Sequence, residues 1–146
     1  MLALDGEPHT EAAIQWAFRL ASVLGIEITG LHVRDPYLKQ FHNEIYAQGR
    51  VEYLEHVDEC LATIAERTTT AFLSAAEGAG VTCDVKVLDG DPCEQLAREA
   101  DTGAYVMVVV GRQPVRGFAA WRSGNLPAKL TAAITSVPVL LVPDQQ

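Results

Sequence analysis

Short apolar runs and longer amphipathic segments alternate along the chain, and this alternation constrains the fold more than any other feature. The predicted strands cover residues 1–4, 26–33, 81–88, 105–110 and 137–142, of which 81–88 is assigned because it alternates apolar with polar residues. In the segments between them, apolar residues recur every three or four positions, which is the spacing of one helix face. Alternating strands and helices predict a parallel sheet with right-handed crossovers. The sequence therefore predicts an α/β fold with a doubly wound, five-stranded parallel sheet.

Capping residues and apolar spacing predict where three of the helices lie. Thr10 is predicted to cap a helix that ends at Gly25. A long helix is predicted to start at residue 51 and to stop at Gly78 and Gly80. Its predicted buried face consists of Val51, Leu54, Val57, Leu61, Ile64, Thr68, Phe72 and Ala75. A helix over 125–135 is predicted to expose Lys129 and to bury Leu126, Leu130, Ala133 and Ile134.

Length and composition predict one ordinary globular domain over residues 1–146, with a mobile connection at 34–50. No apolar run reaches membrane-spanning length and no signal peptide opens the chain, so we expect no membrane association. The three cysteines form neither a paired framework nor a Cys-x-x-Cys motif, which predicts a cytoplasmic protein. The net charge of −8 argues against nucleic-acid binding.

A loop rich in basic residues follows the most apolar run, 106–110. Gly111 is predicted to end that strand, and Asn125 to cap the next helix. Residues 102–143 contain no Asp or Glu, yet they hold four basic residues, Arg112, Arg116, Arg122 and Lys129. Backbone N–H groups at a helix start, together with nearby arginines, favour an anionic ligand. We predict a site for a small anion here, and a merely solvated basic loop is the alternative.

Three predicted strands end in residues suited to ligand contact. In doubly wound sheets, ligands bind beyond the carboxyl ends of strands where the strand order reverses. The first strand is followed by Asp5, the second ends at Val33 and the fourth at Gly111. These ends are predicted to converge on one crevice, where Asp5 contacts a ribose or base and the loop after Gly111 contacts phosphates. The alternative for Asp5 is a turn formed with Gly6.

Several short segments, taken in order, resemble the universal stress protein family over nearly the whole chain. They are Ala-Leu-Asp-Gly at 3–6, Glu-Ala-Ala at 11–13, Leu-His-Val at 31–33, Gly-Asp-Pro at 90–92, Val-Val-Val-Gly at 108–111 and Val-Pro-Val-Leu-Leu-Val at 137–142. The resemblance implies a Rossmann-like fold of the adenine-nucleotide α-hydrolase-like type. It also implies a homodimer that binds ATP or another adenine nucleotide and regulates the stress response without a defined catalytic activity.

The resemblance further implies which residues line the nucleotide site. The ATP-binding members carry Gly, two residues, Gly, nine residues, Gly and then Ser or Thr. That register falls here on Gly111, Pro114, Gly124 and Asn125, so the motif is altered at its second and fourth positions. Pro114 and Pro127 each remove a backbone N–H, which predicts weakened ATP binding. The predicted cofactor-binding residues are Ala3, Leu4, Asp5, Val33, Val110, Gly111, Arg112, Gly117, Gly124, Asn125 and Leu126.

Other chemistry-bearing residues favour structural roles. His9 is predicted to be an exposed residue at a helix start, with a phosphate contact as the alternative. His56 and Cys60 lie one helical turn apart but lack a third ligand, so they predict a surface pair rather than a metal site. Trp121 is predicted to be a packing anchor. No nucleophile, base and orienting group can be assembled, so we expect no enzymatic activity.

The last apolar run, 137–142, is predicted to be an edge strand that pairs with a second copy in a homodimer.

The sequence leaves two alternative functions open. One is a homodimeric interaction or scaffold protein of the same fold that binds no nucleotide. The other is an enzyme that hydrolyses ATP, which needs a metal-binding carboxylate that the acid-free segment does not offer.

Overall fold

Five parallel strands form one sheet in the computed structural model, which describes residues 1–35, 50–112 and 126–144. The strands lie in the order β3-β2-β1-β4-β5. Their bounds are β1 (Leu2–Leu4), β2 (Ile28–Arg34), β3 (Cys83–Asp89), β4 (Val108–Arg112) and β5 (Val139–Pro143). Every neighbouring pair is parallel. The predicted five-stranded parallel sheet is therefore confirmed.

Helices cover both faces of this sheet. They are α1 (His9–Leu24), α2 (Arg50–Ala79), α3 (Pro92–Ala100) and α4 (Leu126–Ala133). Helices α1 and α2 share a core with Leu2, Leu4 and Val109, and we name this side the α1/α2 face. Helices α3 and α4 share a second core with Val108 and Val110, on the α3/α4 face. The doubly wound arrangement is confirmed.

Strand pairing corrects several predicted boundaries. Strand β2 begins at Ile28 rather than at 26, because the β2–β3 ladder begins with Ile28 opposite Cys83. The same ladder extends to Arg34 opposite Asp89, so Arg34 belongs to β2 and not to the predicted mobile connection. Residues 36–49 of that connection lie outside the described ranges. Strands β4 and β5 likewise begin later than predicted and extend farther, to Arg112 and Pro143.

The start of α1 differs from the prediction, whereas its end agrees. Pro8 occupies the N-cap position and no side chain caps the helix, so the assignment of Thr10 as the cap was wrong. Thr10 lies within the first turn, where its hydroxyl donates to the carboxylate of Asp5. Gly25 ends the helix in a left-handed conformation with φ +65°, and its N–H donates to the carbonyl of Ala21. This conformation suits glycine because it has no Cβ.

The buried stripe of α2 lies partly on other residues than predicted. Val57, Thr68 and Phe72 are buried as expected, whereas Ile64 is 40% exposed and Ala75 is also exposed. Ala65, Thr69 and Ala76 are buried in addition. The side chains of 51 and 54 lie outside the described part of the chain. The helix also continues through Gly78 to Ala79, and it is Gly80, with φ +66°, that follows its last residue.

Helix α4 is shorter than predicted. It ends at Ala133 rather than at 135, and Ala133 is exposed instead of buried. Leu130 and Ile134 are buried and Lys129 is exposed, as predicted. None of the helices in the described ranges is long and apolar enough to cross a membrane.

A three-residue polar cluster ties the edge strand β3 to α3. Lys86 Nζ lies 2.5 Å from Glu99 Oε1, and the Tyr105 hydroxyl donates to the same oxygen over 2.7 Å. The Glu99 side chain is only 15% exposed. The hydrogen bond from Lys86, followed by that from Tyr105, lowers the pKa of Glu99 below its ordinary value. The ionised carboxylate thus stabilises the folded state.

Replacing Glu99 by glutamine is expected to lower the free energy of unfolding near pH 7 by about 1 kcal/mol. Because the pKa of Glu99 is lower in the folded state, its contribution is present above the unfolded-state pKa and is lost as the pH falls through the folded-state pKa. The difference between wild type and Glu99→Gln should therefore shrink below about pH 4.5. Urea denaturation at several pH values measures it. The matched control is Glu77→Gln, at an exposed position of α2; an equal loss there would contradict this role.

Candidate functional site

The strand order reverses between β1 and β4, and this position has the geometry of a ligand site. Strands β2 and β3 follow on one side of β1, while β5 lies beyond β4 on the other. Leu2 pairs with Val109, so the two strands run side by side toward the same edge of the sheet. Asp5 comes directly after β1, and Gly111 and Arg112 are the last two residues of β4. In α/β sheets, ligands bind in the crevice at such a switch point.

The carboxylate of Asp5 organises the connection between β1 and α1. Its Oδ1 accepts the backbone N–H of Glu7 over 2.9 Å and also the hydroxyl of Thr10. Its Oδ2 lies 2.8 Å from Nε2 of His9. The Asp5 side chain nevertheless remains 46% exposed. The turn predicted as its structural role is therefore present, and the partly exposed carboxylate retains acceptor capacity for a ligand hydroxyl or amine.

His9 joins the ends of β1 and β4. Its side chain is 14% exposed, so the prediction of an exposed histidine was wrong. On one side Nε2 of His9 contacts the carboxylate of Asp5, and on the other His9 packs closely against Gly111. A Cβ placed on Gly111 would lie 2.8 Å from the His9 carbonyl oxygen and 3.2 Å from its Cδ2. Gly111 therefore does not end β4 as predicted; it lies within the strand and lets α1 approach it.

His32 is a residue of this region that the sequence reasoning missed as a candidate. It lies in β2, is buried, and its Nδ1 donates to the carbonyl oxygen of Leu4 over 2.8 Å. This bond fixes the end of β1 against β2 at the level where Asp5 leaves the sheet. The sequence did contain a signal for His32, because a histidine inside an otherwise apolar strand needs a hydrogen-bond partner when it is buried.

The predicted site residues separate onto the two faces of the sheet. Ala3, Val33, Val110 and Leu126 belong to one apolar cluster on the α3/α4 face. The side chain of Leu4 belongs to the core on the α1/α2 face instead. The reason is that successive residues of a strand point to opposite faces. The Leu4 side chain therefore does not belong to this cluster, and its carbonyl oxygen accepts the hydrogen bond from His32.

The basic end of the predicted site is described in part. Arg112 is exposed at the end of β4, opposite Pro143 of β5, and its carbonyl accepts the N–H of Asp144 over 3.2 Å. The predicted residues Gly117, Gly124 and Asn125 lie outside the described residues, as do Pro114 and Trp121. Pro127 lies at the second position of α4.

The histidine and cysteine of α2 form the surface pair that the sequence predicted. Cys60 Sγ lies 3.7 Å from His56 Nε2, and both residues are exposed. In the three described ranges, no group of three or more His, Cys, Asp or Glu side chains is arranged to hold a metal ion.

A family model matches this chain over almost its whole length. The model of the universal stress protein family covers residues 1–143. The chain belongs to the universal stress protein family. This membership agrees with the five-stranded parallel sheet that has helices on both faces. No curated protein matches the sequence of this universal stress protein family member significantly.

Solved structures of universal stress proteins have the same fold. A family protein from Burkholderia pseudomallei is 19% identical with a TM-score of 0.73, over 97% of this chain and 93% of that one. An Arabidopsis thaliana family protein with AMP bound is 18% identical with a TM-score of 0.69, over 99% and 90%. The Archaeoglobus fulgidus protein in complex with dAMP is 17% identical with a TM-score of 0.66, over 97% and 94%. At these identities the likeness shows the fold.

Proposed function

We propose that this protein binds an adenine nucleotide at the β1–β4 switch point and serves as a regulatory binding protein of the stress response rather than as an enzyme. The observation that carries the proposal is the convergence of Asp5, His9 and Gly111 at the carboxyl ends of two neighbouring parallel strands. Family relatives with AMP and with dAMP bound support an adenine nucleotide as the ligand class.

In the proposed complex, the base packs on the apolar α3/α4 face and the ribose lies beside Asp5. Ala3 and Val33 offer apolar surface there, and the partly exposed Asp5 carboxylate is an acceptor for a hydroxyl or amino group. The phosphates point toward Gly111, Arg112 and the residues Gly117, Gly124, Asn125 and Leu126. Because Pro114, Asn125 and Pro127 remove two N–H donors and one hydroxyl from the family motif, the terminal phosphates of ATP gain little.

We further propose that the protein is a homodimer that pairs through β5. This strand is an edge of the sheet, and its Val139, Leu140 and Leu141 side chains remain partly exposed. An exposed apolar edge strand favours pairing with a second copy. We propose a cytoplasmic location on a separate ground, because Cys60, Cys83 and Cys93 are free thiols.

Isothermal titration calorimetry with AMP, ATP and cyclic AMP tests the nucleotide proposal. We expect AMP to bind, and ATP to bind within about tenfold of AMP because the altered motif offers few additional donors. Absence of binding heat with all three nucleotides would contradict the proposal. In that case a dimer seen by light scattering would favour the scaffold alternative. Release of phosphate from saturating ATP and Mg²⁺ would instead favour an enzyme.

A further inference from the structure

A cavity of about 370 Å³ lies on the α1/α2 face, on the opposite side of the sheet from the apolar cluster assigned to the nucleotide. The start of α1 and the middle of α2 form its walls. Leu4 and Phe72 are buried behind its surface, and the more exposed Pro8, Ile14 and Ala71 supply an apolar surface. A cavity of this volume is within the range of small-molecule sites.

Thr68 forms part of the inner wall of this cavity and has a hydroxyl group without a partner. Thr68 lines the cavity and is only 8% exposed, yet its Oγ1 is buried without a hydrogen-bond partner. It lies against Gly6, whose hypothetical Cβ would be 2.5 Å from that oxygen. Buried hydroxyl groups are almost always hydrogen-bonded, and a ligand can supply the partner that this oxygen lacks once the Thr68 side chain rotates toward the cavity.

The rim of the cavity carries charges of both signs. Arg67 and Glu7 line it, and no ion pair of either side chain is found within the described ranges. Glu11 also lines the cavity and accepts the amide of Gln15 over 3.1 Å. A guanidinium that lacks a carboxylate partner favours a carboxylate, and an unpaired glutamate favours an ammonium group. The rim thus complements a zwitterion.

We propose that this cavity is a second ligand site, for a small zwitterion with an apolar side chain, of the size of a hydrophobic amino acid. The ligand carboxylate pairs with Arg67 and its ammonium group with Glu7, while its side chain packs on Pro8, Ile14 and Ala71. The proposal does not depend on nucleotide binding. The two sites are nevertheless adjacent, because Thr10 lines the cavity and donates its hydroxyl to Asp5.

Calorimetry and amide chemical-shift mapping with L-phenylalanine, phenethylamine and 3-phenylpropionate test this site. The two analogues lack the carboxylate and the ammonium group respectively, so L-phenylalanine should bind at least about tenfold more tightly than either. Its shifts should be centred on residues 6–14 and 67–75. No binding of L-phenylalanine at 10 mM, or shifts centred elsewhere, would overturn the proposal.

Two variants distinguish binding in the cavity from nonspecific binding. Arg67→Gln should weaken L-phenylalanine about tenfold and leave phenethylamine unchanged, because only the former has a carboxylate for the guanidinium. Ala75→Trp, at an exposed position that lines the cavity, should fill it and abolish binding of all three compounds. The control Arg98→Gln, in the last turn of α3, should bind like wild type. Unchanged binding of L-phenylalanine to the Ala75→Trp variant would show that the ligand binds elsewhere, and it would refute the proposal.

Discussion

Replacement of Asp5 by alanine is expected to weaken AMP binding by about 10- to 100-fold. In the proposed complex, Asp5 Oδ2 accepts a hydrogen bond from the nucleoside, and hydrogen bonds to charged groups contribute about 1.5–3 kcal/mol. The same change removes the acceptor of Glu7 N–H, Thr10 Oγ1 and His9 Nε2, so the free energy of unfolding should also fall by about 1–3 kcal/mol. Calorimetric titration with AMP, below the unfolding transition of the variant, measures the first effect.

The control for this prediction is Asp91→Ala. Asp91 also follows a strand and accepts a backbone N–H, that of Glu94 over 2.9 Å at the start of α3. Its loss should cost about 1 kcal/mol of stability, as for other N-caps, but leave AMP affinity unchanged. Equal AMP affinities of wild type and Asp5→Ala would show that Asp5 acts only in the turn. Equal losses of AMP affinity in both variants would show that reduced stability, and not a contact with Asp5, weakens binding.

Replacement of Gly111 by alanine should lower the free energy of unfolding by about 1–3 kcal/mol. The new Cβ would lie 2.8 Å from the backbone carbonyl oxygen of His9 and 3.2 Å from the Cα of Thr10. Because these are main-chain atoms, a change of rotamer cannot relieve the contact, and the start of α1 must move away from β4. The contact between His9 Nε2 and the Asp5 carboxylate should weaken at the same time. Urea denaturation and the AMP titration together measure both consequences.

Gly78→Ala is the matched control for the change at Gly111. Gly78 lies within α2, and a Cβ there meets nothing within 4 Å. Alanine should therefore raise the free energy of unfolding, by about 0.5–1 kcal/mol, because it favours the helix over the unfolded chain. Opposite signs at the two glycines would support the close approach of α1 to β4. A Gly111→Ala variant as stable as wild type would refute it.

Sequence patterns predicted the sheet because they reflect local properties. The alternation of apolar runs with segments of helical spacing predicted five parallel strands. Because ligands bind beyond the carboxyl ends of such strands, the same pattern predicted Asp5 and Gly111 as site residues. Strand ends were less accurate, since they depend on pairing between distant residues such as Ile28 and Cys83. Gly111 illustrates why local sequence does not fix a strand end. Its sequence context is that of a strand end, but its contact with His9 requires a glycine within the strand.

Contacts between separate elements account for the other differences. Nothing in the local sequence shows that Thr10 is bonded to Asp5 instead of capping α1, or that His9 is buried by Gly111. The alternation of strand side chains could have placed Leu4 on the face opposite Ala3, because this rule needs only the sequence. By contrast, the cavity beside Thr68 depends on how α1 and α2 pack, so no pattern in the sequence predicted it.

A crystal structure of the protein, from crystals grown with AMP, tests the central proposal most directly. We predict AMP at the carboxyl ends of β1 and β4, with its ribose or base within hydrogen-bond distance of the Asp5 carboxylate and its phosphate on the side of Gly111 and Arg112. Adenine should contact Ala3 and Val33 on the α3/α4 face. AMP bound away from Asp5, or a crevice left empty at saturating AMP, would contradict the assignment of this switch point as a nucleotide site.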